Sequence, residues 1–175
     1  MERGLIHVYC GDGKGKTTAA LGLAVRASGR GHQVLLVQFL KSQDTGELFA
    51  LDRLPGITVI RGKEGYRFSF NMTDEEKVHC CAIQDEHLRQ AIALCRSQKV
   101  DLLILDEAIG ALEKNLVNRE LLLEFLNSKP SGLEVVLTGR NPDDALLELS
   151  DYISEIKKVK HPFDLGITAR DGIER

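Results

Sequence analysis

Apolar residues in this chain fall into short consecutive runs, separated by stretches in which they recur at helical spacing. LIHVY (Leu5–Tyr9), QVLLVQFL (Gln33–Leu40), ITVI (Ile57–Ile60), VDLLILDE (Val100–Glu107) and LEVVLTG (Leu133–Gly139) are rich in valine, isoleucine and leucine and predict strands. Most are apolar at successive positions, which suits strands buried on both faces of a parallel sheet. YISEI (Tyr152–Ile156) alternates weakly and predicts a sixth strand nearer an edge. A helix is expected over Lys16–Ser28, closed by Gly29 and Gly31. The longest should run from about Asp74 to Gln98, with Thr73 as N-cap and Glu76 completing a capping box. Its expected inward stripe is Val78, Cys81, Ala82, Leu88, Ile92 and Cys95. Asn118 opens a helix that reaches Phe125 and Leu126. Asn141-Pro142-Asp143-Asp144 opens another, with proline at the first helical position and acids in the first turn. The stretch from Arg61 to Met72 and the end of the chain read as irregular. Strands alternating with helices predict an α/β fold: a mostly parallel sheet of about six strands, joined by right-handed crossovers, with helices on both faces.

Composition narrows the class without choosing a function. A chain of 175 residues suits a single domain over 1–175. An apolar fraction of 43% and a charged fraction of 28% are those of an ordinary globular protein. A net charge of −3 argues against general affinity for nucleic acid or anionic membranes. No apolar run approaches membrane-spanning length, and the first residues lack the serial pattern of a signal peptide. The four cysteines (Cys10, Cys80, Cys81, Cys95) have no metal-ligand spacing. Cys80 and Cys81 read as small apolar positions on a helix, and a reduced, cytoplasmic protein is expected.

The chemistry begins at CGDGKGKTTAALG, Cys10 to Gly22, where a predicted strand passes through a glycine loop into a helix. Gly11, Gly13 and Gly15 allow successive N–H groups to turn inward around an anion at a helix N-terminus. Lys16 supplies a fixed positive charge and the Thr17 hydroxyl a ligand for Mg²⁺. Asp12, Lys14 and Thr18 complete the candidate nucleotide-binding loop; Lys14 either contacts the outermost phosphate or is solvated. The order of strand, loop, GKTT and helix is that of a P-loop, so the fold class sharpens to P-loop NTPase-like.

Two further segments end strands. LLILDE places Asp106 and Glu107 where P-loop proteins hold Mg²⁺ or its water shell, and both are candidates. TGRNP places Arg140 within reach of phosphates across the crevice, or at the surface beside a helix cap. Arg26 is either a nucleotide contact or a solvated helix residue. These residues imply MgATP-type binding and leave the reaction open, because one P-loop fold serves many chemistries.

The segments GDGKGKTTAALGLAVRASGRG, VLLVQFLK, DLLILDE, VVLTGRNP and KHPFDLGITARDGIE (Lys160–Glu174) occur together, in an order and spacing that resembles the P-loop ATP:corrinoid adenosyltransferases. The resemblance implies an enzyme that joins the 5′ carbon of ATP to the Co(I) of a reduced corrinoid (cobalamin or a precursor) and releases intact triphosphate. It implies a nucleotide held in the reverse sense, with the loop gripping the end of the triphosphate distant from the sugar. By motif match Lys16 and Glu107 carry catalysis, Thr17 and Glu107 bind Mg²⁺ with Asp106 second, and Arg26 and Arg140 lie near the nucleotide. The family's Phe-x-Trp segment aligns with Phe68-Ser69-Phe70, where an apolar wedge would displace the corrinoid's lower axial ligand. Here the tryptophan is replaced by Phe70, and the chain has no tryptophan. AIGALEKNLV, after the acidic strand end, also departs from the family's more polar pattern. The likeness further implies a homodimer and an electron-donating flavoprotein reductase. Rival expectations are a kinase or ATPase acting at the γ-phosphate, and a nucleotide-gated corrinoid carrier. His161, within the C-terminal segment, is expected to be structural or substrate-shaping rather than a cobalt ligand.

Overall fold

Strands β2 (Val34–Gln38) and β4 (Leu102–Asp106) are buried at every residue, as their unbroken apolar runs require. The computed structural model describes residues 2–41, 45–62 and 72–174. Beside these two strands lie β1 (Ile6–Cys10), β3 (Ile57–Arg61), β5 (Glu134–Thr138) and β6 (Tyr152–Glu155). All six pair in parallel, in the order β3-β2-β4-β5-β1-β6. In β1 burial alternates, and β6 is exposed along its length, as expected for the weakly patterned edge strand.

The helices are α1 (Lys16–Ser28), α2 (Gly46–Leu51), α3 (Asp74–Ser97), α4 (Ala108–Glu113), α5 (Arg119–Asn127) and α6 (Asp144–Glu148), followed by a 3-10 turn at Pro162–Leu165. One apolar core lies on the α3–α6 side, built on Val8, Leu35, Val37, Leu103, Leu105, Val135 and Leu137. The other lies under α1 and α2, built on Ala20, Ala24, Leu36, Ile104 and Val136. Alanines on the inner face of α1 let that helix sit close across β4, β5 and β1. Among the described residues no helix is long and apolar enough to cross a membrane.

Several sequence expectations need correction. The capping box of α3 is present, with Thr73 Oγ1 accepting from the Glu76 amide and Glu76 accepting from the Thr73 amide. Its inward face, however, is Cys80, Gln84, Leu88, Ala91, Ile92 and Cys95, and Val78 is 72% exposed. In the first turns the apolar residues are too few to mark the phase, and the buried Gln84 breaks the pattern because its carbonyl serves the end of β2. Pro142 lies before the N-cap of α6 rather than inside the helix; Asp143 is the cap and accepts from the Leu146 amide at 2.9 Å. The short α2 and α4 were not expected, since six residues carry too little periodicity to detect. All four cysteines are free, and burial pushes the Cys95 thiol up to about 12, so it stays protonated and inert.

Strand register sets up the site. Gln38 pairs with Asp106, Leu105 with Leu137, and Tyr9 with Thr138. The C-terminal ends of β2, β4, β5 and β1 therefore finish level, at the end where open α/β sheets bind ligands.

Candidate active site

The glycine loop after β1 is braced from outside. The Gly11 amide donates to the Arg140 carbonyl at 3.0 Å, and the Gly13 amide donates to the Ile156 carbonyl at 2.7 Å. Gly11 sits at φ +101°, and a Cβ there would come within 2.5 Å of the Ile156 oxygen. Position 11 therefore has to be glycine on both conformational and contact grounds. The Asp12 carboxylate is engaged by the tail, accepting from the Lys158 amide at 2.9 Å, which also holds it below the usual carboxylate range. Gly15 caps α1 without a side-chain hydrogen bond, so the first amides of that helix remain turned toward the loop.

Lys16 reaches back across the loop and donates to the Gly13 carbonyl at 2.8 Å. Burial pulls its ammonium below the usual lysine value; Glu107 opposes that shift and Arg140 adds to it. A partly desolvated cation beside a second cation is stabilised by an anionic ligand.

Beneath the loop, Asp106 is a buried hub. Its Oδ1 accepts from the Thr17 and Thr138 hydroxyls, each at 2.8 Å, and its Oδ2 accepts from Lys41 Nζ at 2.6 Å. With its proton given to Asp106, the Thr17 hydroxyl keeps lone pairs free. Glu107 follows at φ 60° and ψ 15°, a left-handed conformation that costs a non-glycine residue about 1 kcal/mol or more. Its amide donates to Thr138 Oγ1 at 2.9 Å, which holds that turn. Close packing of α4 against β5 then requires glycine at 139, where φ is +153° and a Cβ would meet Ile109 Cβ at 2.5 Å.

Gly13, Lys14, Gly15, Lys16, Thr17, Thr18, Glu107, Ile173 and Glu174 line a cleft of about 210 Å³. Most of the expected nucleotide residues are thus together: 13–18 and Glu107 face the cleft, Asp106 lies under it, and Arg140 stands close to Lys16. Gly11 and Asp12 brace the loop from behind. Arg26 is not brought to this cleft; it lies in the last turn of α1, exposed and near Tyr9. At 1.5 Å per residue it is about 15 Å along the helix axis from Lys16. Phe68 and Phe70 fall outside the described residues. A depression of about 510 Å³ between α2 and β3 shares no residue with the phosphate cleft.

Sequence reasoning missed Thr138, Lys41, Ile173 and Glu174 as site residues. The signal for Lys41 was its place just past the end of a buried strand, where ligands gather. Glu174 is gripped by Arg170, through Nη2 to Oε1 at 2.9 Å and Nε to Oε2 at 3.1 Å, which lowers its carboxyl to about 2. His161 Nδ1 accepts from the Phe163 amide at 3.1 Å and caps the 3-10 turn, a structural part in the C-terminal segment.

The oxygen donors suit a hard cation such as Mg²⁺: a threonine oxygen with free lone pairs and a carboxylate on the cleft wall. Among the described residues no group of three or more His, Cys, Asp or Glu is placed to hold a metal ion.

Residues 2–175 match the family described as ATP:corrinoid adenosyltransferase BtuR/CobO/CobP. The chain belongs to this family. It is 34% identical over 174 residues to the corrinoid adenosyltransferase of Escherichia coli, covering 99% of this chain and 86% of that one. It is 33% identical to the corrinoid adenosyltransferase of Pseudomonas aeruginosa, covering 99% of this chain and 84% of that one. Among solved structures it is similar to a KaiC-like protein from Pyrococcus horikoshii. That match has a TM-score of 0.55 at 16% identity, covers 89% of this chain and 73% of that one, and bears on the fold alone.

Proposed function

We infer that this adenosyltransferase-family chain transfers the 5′-deoxyadenosyl group of MgATP to the Co(I) centre of a corrinoid and releases triphosphate. The observation that carries this reading is the meeting of the glycine loop, Lys16, Thr17 and Glu107 in one cleft, in a chain matched to the family from residue 2 to residue 175. In the reaction the electron pair of Co(I) forms the cobalt–carbon bond. The bond from the 5′ carbon to triphosphate oxygen breaks, and its electron pair leaves with the triphosphate, which gains negative charge.

The loop amides of residues 14–18, with Lys16 and Lys14, hold that charge in fixed dipoles and cations. Arg140 stands beside them, while Gly11 and Asp12 keep the loop in shape. Thr17 and Glu107 would hold Mg²⁺, and Asp106 orients Thr17 from beneath. When bound, the metal neutralises the phosphate oxygens and supports the leaving group. On the corrinoid side we assign Phe68 and Phe70 to displacement of the lower axial ligand, which eases reduction to Co(I). Phe70→Ala should reduce turnover of cob(II)alamin with a mild reductant more than turnover of pre-formed cob(I)alamin. Equal losses in the two assays would count against that assignment. We further propose a cytoplasmic homodimer supplied with electrons by a flavoprotein reductase.

A second reading draws on Glu107 itself, because a carboxylate following the strand-end aspartate can orient water at a γ-phosphate. Incubation with ATP, Mg²⁺ and chemically reduced cobalamin separates the two. Triphosphate formed in step with adenosylcobalamin supports the transferase. ADP and orthophosphate released without corrinoid would sink it, and binding without product would indicate a carrier.

A further inference from the structure

We propose that Lys41 is a positioning residue that keeps the metal site closed to a bare divalent cation, so that Mg²⁺ enters only as its nucleotide complex. This rests on reading the cleft as a MgATP site. Asp106 is fully buried, and a carboxylate so placed is stable only when paired and hydrogen-bonded. Two hydroxyls satisfy Oδ1, and the ammonium of Lys41, whose side chain is 24% exposed, covers Oδ2 at 2.6 Å.

The backbone is built to put that ammonium there. Just past β2, the Phe39 amide donates to the Asp106 carbonyl at 2.9 Å, and the Leu40 amide donates to Gln84 Oε1 on α3 at 3.3 Å. Directly after these anchors Leu40 takes φ 55°, left-handed for a residue that disfavours it, and the Lys41 ammonium meets Asp106. Strain held by backbone hydrogen bonds before it and by the Lys41–Asp106 ion pair after it marks a constructed position, not a wandering surface lysine.

Each strand-end carboxylate thus has a lysine near it: Lys41 pairs with Asp106, and Lys16 senses Glu107. A bare dication approaching Thr17 must displace an ammonium or face it at close range. A triphosphate brings negative charge that outweighs that repulsion, so the metal is admitted together with the nucleotide.

Mn²⁺ is the probe, followed by its electron paramagnetic resonance, alone and with ATP. The wild type should bind Mn²⁺ alone weakly and MnATP well. Lys41→Met frees Asp106 Oδ2 and should tighten binding of Mn²⁺ alone by about tenfold or more. The same variant should melt at a lower temperature without metal, and Mn²⁺ should restore it. Lys41→Arg should keep the wild-type weakness toward bare Mn²⁺. Lys41→Gln, which retains a hydrogen-bond donor without charge, repeats the test if the methionine variant does not fold. A lysine with a merely structural role would lower stability without tightening metal binding. If MnATP binds but neither neutral variant binds bare Mn²⁺ more tightly than wild type, the proposal falls alone. If the wild type binds no MnATP, the nucleotide-site reading falls first and takes the proposal with it.

Discussion

Lys16→Ala should lower kcat/KM for ATP by about a hundredfold to a thousandfold while leaving the fold intact. The ammonium is partly buried, donates to the Gly13 carbonyl, and feels the charges of both Glu107 and Arg140. Among the described residues its removal breaks no buried carboxylate pair, so the melting temperature should move little. The loss falls on the interaction with triphosphate, which gains charge as the bond to carbon breaks. A fixed donor aimed at developing charge is worth that much in rate. Steady-state kinetics with reduced cobalamin, together with ATP titration by calorimetry, would measure it. Activity close to wild type would remove the loop from the mechanism.

Asp106→Ala should fail differently, through stability first. It strips the partner from Lys41 and the acceptor from Thr17 and Thr138, leaving the charge of a partly buried lysine uncompensated. Breaking a buried pair by removing one member costs about 3–5 kcal/mol. For a chain of 175 residues that corresponds to a fall in Tm of about 10 °C. Nucleotide binding should also lose its dependence on Mg²⁺, because the Thr17 hydroxyl is no longer oriented. Glu107→Gln provides the contrast: its side chain lines the cleft and, among the described residues, holds no buried partner, so Mg²⁺-dependent ATP affinity should fall with little change in Tm. If Asp106→Ala keeps wild-type stability, Asp106 is not the hub described above. A Tm loss in Glu107→Gln as large as that of Asp106→Ala would blur the assigned division between support and ligation.

The sheet was legible because β2, β4 and β5 are covered on both faces, and full burial writes itself as unbroken aliphatic runs. The edge strand was legible from the weakness of YISEI. The loop was legible because its chemistry is local: consecutive amides, a lysine and a threonine need only the strand before and the helix after. Helix phase was less secure wherever a polar group served the core, as Gln84 does in α3. Arg26 shows how helix length separates residues of one motif. Its place in the sequence suggests a phosphate or ribose contact or a solvated position, and the length of α1 carries it to the end of the helix away from the phosphate loop.

By itself, the sequence determined that this chain builds an anion cradle on a parallel sheet, and its spaced motifs pointed to adenosyl transfer. Those features depend on hydrophobic periodicity and on neighbours a few residues apart. Tertiary structure alone decided the division of labour around the metal site. Asp106 meets Thr17, Lys41 and Thr138 across gaps of 89, 65 and 32 residues. Only strand order and register bring those side chains to one carboxylate, because its two oxygens are shared out by geometry in three dimensions and not by spacing along the chain.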